Sequence, residues 1–491
     1  MLVKDFLNIE DFKFIMDPKF IRVLSFTFYE AILSAAFALI VSLIPAIYVY
    51  RKRNTLSSLL ENSIFIPFFF PPVSMVIAFS IIFASNGVLS KFGINLNIMY
   101  SIKAIVVAHV FYNSPIFVKY IGSALKLTDP MIEEASKIDG AGKFTRFFKV
   151  EFPQVLPAVM KSFFLVFTYS FMSFAVVLNL GGVKYSTIEV SIANALRGNF
   201  DFSKALTYAA VQFGILFVVN YVLSKIGSKV YETGYPVNSR EKAGIITTSL
   251  SVIYAIFEYG IVVIGLSGIF YDFYNDRFSL KHFFNLFSEQ LNRRFPVVIS
   301  MVNSAMVAFI TGIVAVIFSY LFLKIRSKIT DSIILPILGI SSAFLATSLL
   351  YLNIVLAIPF FILILIGYIL ISTPLAYSFL YQGVKGFPDD IVEAAKLDGA
   401  GKLKIFSKIE FPILLPNFMA VFFQIFAIIY GEFTISYTMQ IRDFFPLASV
   451  VNYSLSAQRY YLESSAFSSF NIIVIFLLFF ISTKIISSKK Y

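Results

Sequence analysis

Uninterrupted apolar stretches of about 20 residues recur along the whole of this 491-residue chain. Each is long enough to cross roughly 30 Å of hydrocarbon as a helix. In hydrocarbon no water satisfies the backbone, so such runs fold as helices that bond their own N–H and C=O groups. Composition agrees: 58% of residues are hydrophobic and 14% charged, against about 45–50% and about 25% in soluble domains. The mean hydropathy is +0.83. No polar stretch is long enough to build a soluble core. The predicted fold class is all-α, a polytopic helical membrane protein.

Eleven spans are predicted. The first five cover 23–50, 63–83, 104–120, 159–180 and 205–223; the other six cover 245–269, 297–323, 333–352, 355–379, 418–438 and 466–483. Basic residues set the orientation. Arg51, Lys52 and Arg53 follow the first span, Lys225 and Lys229 the fifth, and Lys324, Arg326 and Lys328 the seventh, while Lys489 and Lys490 close the chain. All fall on one side if the spans alternate, and the positive-inside rule makes that side the cytoplasm. The N-terminus is then outside and the C-terminus inside. The net charge of +12 is accounted for by these loops, so no nucleic-acid partner is implied. The absence of Cys excludes disulfides and thiolate metal sites. Trp is also absent, which leaves Tyr and Phe for the membrane interface. Residues 1–20 are mixed and charged, without the apolar core of a cleavable signal. A polar, Gly- and Pro-containing stretch at 227–244 reads as a cytoplasmic linker. It divides the chain into membrane halves 1–226 and 245–491. The longest outside loop is 271–295.

The halves share an unusual segment. The first copy runs Glu134-Ala-Ser-Lys-Ile-Asp-Gly140-Ala-Gly, then Val150-Glu-Phe-Pro153 and Pro157. The second runs Glu393-Ala-Ala-Lys-Leu-Asp-Gly399-Ala-Gly, then Ile409-Glu-Phe-Pro412 and Pro416. Every matched pair is 259 residues apart (134 and 393, 140 and 399, 153 and 412, 157 and 416). Ser114-Pro115 and Thr373-Pro374 keep the same offset, so the duplication extends beyond the motif. Both copies lie on the predicted cytoplasmic side, which makes the halves parallel repeats.

Local chemistry predicts a short helix, a tight turn and a second short helix in each copy. Asp129 suits the N-cap and Pro130 the first turn. Glu133 and Glu134 lie near the positive end of the helix dipole. Gly140 and Gly399 supply a turn where a side chain would obstruct. Phe144, Phe147 and Phe148 make an apolar edge, and Pro153 and Pro412 set where the next span begins. An ordinary surface hairpin has no reason to keep one spacing in both halves.

These segments resemble the coupling loop of permease subunits of binding-protein-dependent ABC importers. The resemblance covers nearly the whole chain, as a type I permease with both halves fused. It is strongest toward thiamine permeases and the ferric-iron permeases related to them. Softer features point the same way: Phe26-Thr-Phe-Tyr-Glu-Ala31, His109-Val-Phe-Tyr-Asn-Ser-Pro115, Gly181-Gly182 with Thr187-Ile-Glu189, and Gly431-Glu-Phe433. The resemblance implies that Glu134, Ala135, Asp139, Gly140 and Pro153, with Glu393, Ala394, Asp398, Gly399 and Pro412, dock a cytoplasmic ATPase. It implies two ATPase copies, an external solute-binding protein, surrounding membrane lipid, a bacterial or archaeal plasma membrane, and no cofactor or metal. Relatives are expected to carry a further span before residue 23.

Ionisable groups inside spans are functional candidates. Glu432 lies in the tenth span and has Ser173 as its offset partner; it either lines a translocation path and favours a cation, or is a carboxyl tied down for helix packing. Glu30 and His109 are candidates for the same path, though a polar contact between helices explains them as well. His109 has Tyr368 as its offset partner. Glu258 sits mid-way along a sixth span expected to be peripheral. Pro71-Pro72 should kink the second span, as a packing kink or a flexing point.

The chain has no G-x-x-x-x-G-K-[ST] loop, so it is not expected to be an enzyme, and ATP hydrolysis falls to a partner subunit. An ion-coupled carrier would want acidic or basic pairs at mid-membrane and leaves the duplicated segment unexplained. A membrane enzyme would want clustered His, Asp or Glu, and the two histidines do not supply that. Thiamine is the expected solute, with ferric iron or another small solute as alternative.

Overall fold

The structure, a computed structural model, describes residues 17–51, 54–63, 66–67, 70–126, 130–182, 184–199, 201–225, 244–325, 340–439 and 444–487. The predicted linker 227–244 lies outside these residues except for Gly244, as do Asp129, the basic residues Lys52, Arg53, Lys229, Lys489 and Lys490, and the whole stretch 326–339 with Arg326, Lys328 and the start of the eighth predicted span. Packing divides the chain into two units. One holds residues 1–70 and 75–267; the other holds 71–74 and 268–491.

The first unit is built on α1 (Pro18–Arg51), followed by α2 (Thr55–Ser63), α3 (Pro72–Phe83) and α4 (Ile102–Lys126). Ala31, Ala35, Ala38, Ser42 and Ala46 fall at helical spacing along α1 and are fully buried. Small residues in such a stripe let helix backbones approach closely, and α4 packs along α1 accordingly. Next come α5 (Pro130–Ile138), α6 (Lys143–Arg146), a π-helical turn at Phe147–Glu151, α7 (Phe152–Phe171) and α8 (Ala175–Leu180). The unit ends with α9 (Ile188–Asn199), α10 (Phe202–Lys225) and α11 (Ile245–Ser267). Its core joins Phe117 and Ile121 of α4, Val159 and Val166 of α7, Leu216 of α10, and Tyr254 and Ala255 of α11.

The second unit opens with a two-stranded antiparallel hairpin, β1 (Tyr271–Asp272) and β2 (Arg277–Phe278). Then follow α12 (Val297–Ile325), α13 (Ser342–Leu356), α14 (Phe360–Lys385), α15 (Asp389–Leu397), α16 (Lys402–Ile405), a π-helical turn at Phe406–Glu410, and α17 (Phe411–Tyr430). The chain continues through α18 (Thr434–Thr438), α19 (Ala448–Ala457) and α20 (Tyr461–Ser487). Along α12, Ser300, Ala308, Thr311, Ala315 and Ser319 form a buried stripe of small residues like that of α1.

The duplication is carried into the secondary structure. The elements α5, α6, the π turn, α7, α8 and α10 each begin 259 residues before α15, α16, the second π turn, α17, α18 and α20. A cross-helix cap is also repeated: Thr27 Oγ1 of α1 accepts the Ile188 N–H at 3.0 Å, and Ser304 Oγ of α12 accepts the Ala448 N–H at 2.8 Å. In each unit a hydroxyl from the long first helix holds the N-terminus of a later one.

Ten helices among the described residues are long and apolar enough to cross a membrane, and Ser342–Leu356 is a shorter apolar helix at the eighth predicted span. The boundary between the eighth and ninth spans lies later than predicted. Ala357 adopts a left-handed φ of 50° and ends α13. Pro71-Pro72 does not kink a continuous helix. The helix before it ends at Ser63 and Pro72 starts a new one, where a missing N–H costs nothing. The sixth span, expected to be peripheral, packs into the first unit: Ser114 of α4 donates to Glu258 Oε1 at 2.8 Å and lies 3.1 Å from the Tyr254 hydroxyl. The first packing unit thus runs on through α11 to Ser267.

Candidate coupling segments and intramembrane polar groups

Each repeated segment is a helix closed by the same cap. In the first, the Gly140 N–H bonds to Lys137 O at 3.1 Å and the Ala141 N–H to Ser136 O at 3.0 Å. In the second, the Gly399 N–H bonds to Lys396 O and the Ala400 N–H to Ala395 O, both at 3.0 Å. These paired bonds satisfy the last carbonyls of the helix and require a left-handed residue at the glycine. Gly140 and Gly399 have φ of +78° and +77°. A Cβ built on either meets nothing within 4 Å, so the glycine serves backbone conformation; no neighbouring group within the chain would be obstructed. In the second copy the residue before the helix is Pro388, with φ −63° and ψ 120° and no side-chain cap.

Glu134, Ala135, Asp139, Glu393, Ala394 and Asp398 are exposed, as are Pro153 and Pro412. Inward, Ser136 and Ala395 are buried. Apolar side chains also face outward at matched positions: Ile138 is 86% exposed and Leu397 89%, Phe144 76% and Leu403 84%.

The π turns lead into the long spans. The Phe152 N–H bonds five residues back to Phe147 O, and the Phe411 N–H to Phe406 O. Pro153 and Pro412 lack an N–H, so the ladder is interrupted there in any case. The last residue of each turn is a buried glutamate. Glu151 Oε1 lies 3.3 Å from Arg146 Nε. Glu410 accepts from Tyr320 Oη at 2.5 Å and from Lys324 Nζ. The sequence marks Lys324 only as a basic residue after the seventh span and does not pair it with Glu410, nor Arg146 with Glu151. The repeated Glu-Phe-Pro was visible, but Tyr320 and Lys324 sit on a helix about 90 residues away in sequence.

Glu432 lies in the break between α17 and α18. Its Oε1 accepts the Ile435 N–H at 2.9 Å, and Ser449 Oγ donates to its backbone carbonyl at 2.5 Å. The residue is partly exposed, while Oε2 is buried with no hydrogen-bond partner. Tyr368 lies within electrostatic reach. A Cβ at Gly431 would sit 3.3 Å from the Pro71 ring, so glycine permits a close approach beside the carboxylate. Ser173 is also partly exposed. Glu30 and His109 are brought together: His109 Nδ1 is 2.5 Å from Glu30 Oε1, and Ser34 Oγ donates to that oxygen at 2.7 Å. Both are buried. Among the described residues no three His, Asp or Glu side chains converge as metal ligands do.

The repeat is matched by a known family, described as the binding-protein-dependent transport system inner membrane component. It matches twice, over residues 38–235 and 298–489. The chain belongs to this family. Each match takes in one repeated segment, and α11 falls between them. Among relatives, the thiamine transport system permease protein of Brucella abortus (strain 2308) is 26% identical over 265 residues, 50% of this chain and 49% of the relative. The sulfate transport system permease protein of Escherichia coli (strain K12) is 28% identical over 226 residues, 44% of this chain and 81% of the relative. A probable transport system permease protein of Clostridium pasteurianum is 25% identical over 213 residues, 42% of this chain and 72% of the relative. The chain thus spans about half the length of the thiamine permease it matches. As a family member with ten long apolar helices, it is a fused, two-repeat, multi-pass plasma-membrane protein of all-α fold.

Proposed function

We propose that this chain is the permease subunit of an ABC importer, carrying a small solute released by an external binding protein. The observation that carries this reading is the pair of coupling segments: same spacing, same left-handed glycine, same π turn and the same exposed apolar positions. Two identical ATPase subunits would find two equivalent docking elements on one chain. Hydrolysis belongs to those partners. An ion-coupled carrier has no use for such a pair.

We further propose thiamine as the solute. Relatives named for thiamine transport support it, and so does the carboxylate of the partly exposed Glu432, whose charge would favour a cation. Ser173 is the matching position on the first repeat and the other candidate for the path. Glu30 and His109 are held by each other and by Ser34, which supports a helix contact for them. The relative named for sulfate transport defines the competing solute. The deciding experiment is calorimetry on the binding protein encoded beside this chain, titrated separately with thiamine, sulfate and ferric citrate. It is followed by uptake into proteoliposomes containing the chain, that protein and the ATPase. Thiamine binding with ATP-dependent uptake supports both parts. Sulfate binding overturns the solute alone. Uptake driven by an ion gradient without ATP overturns the importer.

A further inference from the structure

We propose that Glu410 is the positioning residue that ties the second coupling segment to α12, so that a displacement of the segment is passed to that span. The inference rests on the coupling reading of the segment and adds the route by which its motion leaves it.

The geometry is specific. Glu410 closes the π turn and its side chain is 6% exposed. Oε2 accepts from the Tyr320 hydroxyl at 2.5 Å, and Oε1 accepts from Lys324 Nζ. Tyr320 and Lys324 stand one turn apart on α12, so a single carboxylate grips one face of that helix at two points. The first residue of the same π turn reaches the same tyrosine: the Phe406 and Tyr320 rings are 5.5 Å apart. Phe418 of α17 meets Tyr320 edge-on at 5.3 Å, and Phe411 packs on Phe406 at 5.8 Å and Phe418 at 6.1 Å. Both ends of the turn are therefore fixed to α12 through Tyr320.

Room for movement lies on the other side. A cavity of about 180 Å³ is bounded by Lys324, Glu410 and Lys396, with Val384, Phe387 and Leu414. Lys396 belongs to α15, so the space separates the docking helix from the clamp. Motion of α15 therefore reaches the clamp along the chain, through α16 and the π turn, and not by direct packing across this space. Only the Glu410 side of this pair is buried, and Lys324 is 37% exposed; desolvation of the carboxylate offsets much of the attraction, and what such a pair can supply is register. At this position the register is that of the π turn against α12.

The test uses the full importer, with ATPase subunits, in proteoliposomes. An environment-sensitive fluorophore is placed on α12 by Leu321→Cys, a lipid-accessible position 52% exposed in a chain without native Cys. Trapping with ATP and vanadate should shift its emission in the otherwise unmodified chain. In Glu410→Gln the shift should be largely lost, while ATPase association and basal hydrolysis persist. The exchange Glu410→Lys with Lys324→Glu should restore it. An undiminished shift in Glu410→Gln overturns the clamp, even if Glu410→Ala misfolds, because the residue then only fills space. Hydrolysis without any shift in the unmodified chain also overturns the clamp alone. Failure of the ATPase to associate with the unmodified chain overturns the coupling reading and the clamp with it.

Discussion

Gly140 and Gly399 lie 259 residues apart and hold the same left-handed backbone, at φ +78° and +77°. Each closes its helix by the same pair of hydrogen bonds, and each has open space where a Cβ would stand. The turn is therefore constrained by conformation alone. A non-glycine residue there costs about 1–2 kcal/mol, and a β-branched one more. Gly140→Val or Gly399→Val should leave insertion and expression near normal but reduce ATPase association and stimulated hydrolysis; Ala should do so less. Full stimulated hydrolysis by both Val proteins would remove the docking role from the turn.

Burial separates two ion pairs of similar appearance. Arg146 and Glu151 have side chains 5% and 6% exposed, whereas Arg293 and Glu289 are 78% and 79% exposed. Removing one partner of a buried pair costs about 3–5 kcal/mol, and an exposed i,i+4 pair is worth about 0.3–0.5 kcal/mol. Arg146→Ala should lower the melting temperature in detergent by several degrees and Arg293→Ala should leave it nearly unchanged. Equal small shifts would mean that Arg146 gains little from its partner.

The coupling segments were legible because two kinds of constraint are written locally. A left-handed turn demands Gly140 and Gly399, and proline marks the start of the next helix. Long apolar runs likewise announce spans whatever they pack against. What lay outside the sequence was pairing at a distance. Nothing local says that Glu410 meets Tyr320 and Lys324, or that Ser114 reaches Glu258 on α11. Nor does any glycine mark the end of α13, where Ala357 takes the left-handed conformation in its place. A proline pair alone does not reveal whether a helix continues through it or begins at it, so the kink expected at Pro71-Pro72 is instead a helix start.

The orientation is open to direct labelling. Phe278 on the β2 hairpin is 79% exposed and Leu397 on α15 is 89% exposed. With no native Cys, Phe278→Cys should react with an impermeant maleimide in intact cells. Leu397→Cys should react only after permeabilisation. The reverse pattern would invert the topology and put the coupling segments on the wrong side for an ATPase.

The hairpin also gives a pH dependence. Burial alone would raise the Asp272 carboxyl, but hydrogen bonds from the Asn275 side chain and the Asn275 and Tyr274 backbone outweigh it, helped by His282, and hold it below the ordinary value of 3.8. A carboxyl depressed by folding contributes stability above its unfolded pKa and loses it as pH falls through the folded value. The hairpin should therefore hold at neutral pH and loosen only below about pH 4. Limited proteolysis of the loop across pH 3–7 reads this, and Asp272→Asn should flatten the acid limb. A loop whose proteolysis stays unchanged down to pH 3 would remove Asp272 from its stability.

Glu432 is the residue on which the cationic-solute reading turns. Its Oε1 caps α18 through the Ile435 N–H at 2.9 Å, while Oε2 is buried without a partner. Glu432→Gln keeps an acceptor for the cap and removes the charge, and a neutral amide is easier to bury than an ion. Expression should hold, and thiamine uptake should slow by about tenfold, the effect of about 1.4 kcal/mol at a barrier. Thiamine affinity of the separate binding protein should not change. Glu432→Ala loses the cap as well, which costs about 0.5–2 kcal/mol, so its expression should fall. The two variants divide the roles of the two oxygens. Normal uptake by Glu432→Gln beside poor expression of Glu432→Ala would leave Glu432 as a helix cap only, and the case for a cation would then rest on resemblance to thiamine permeases.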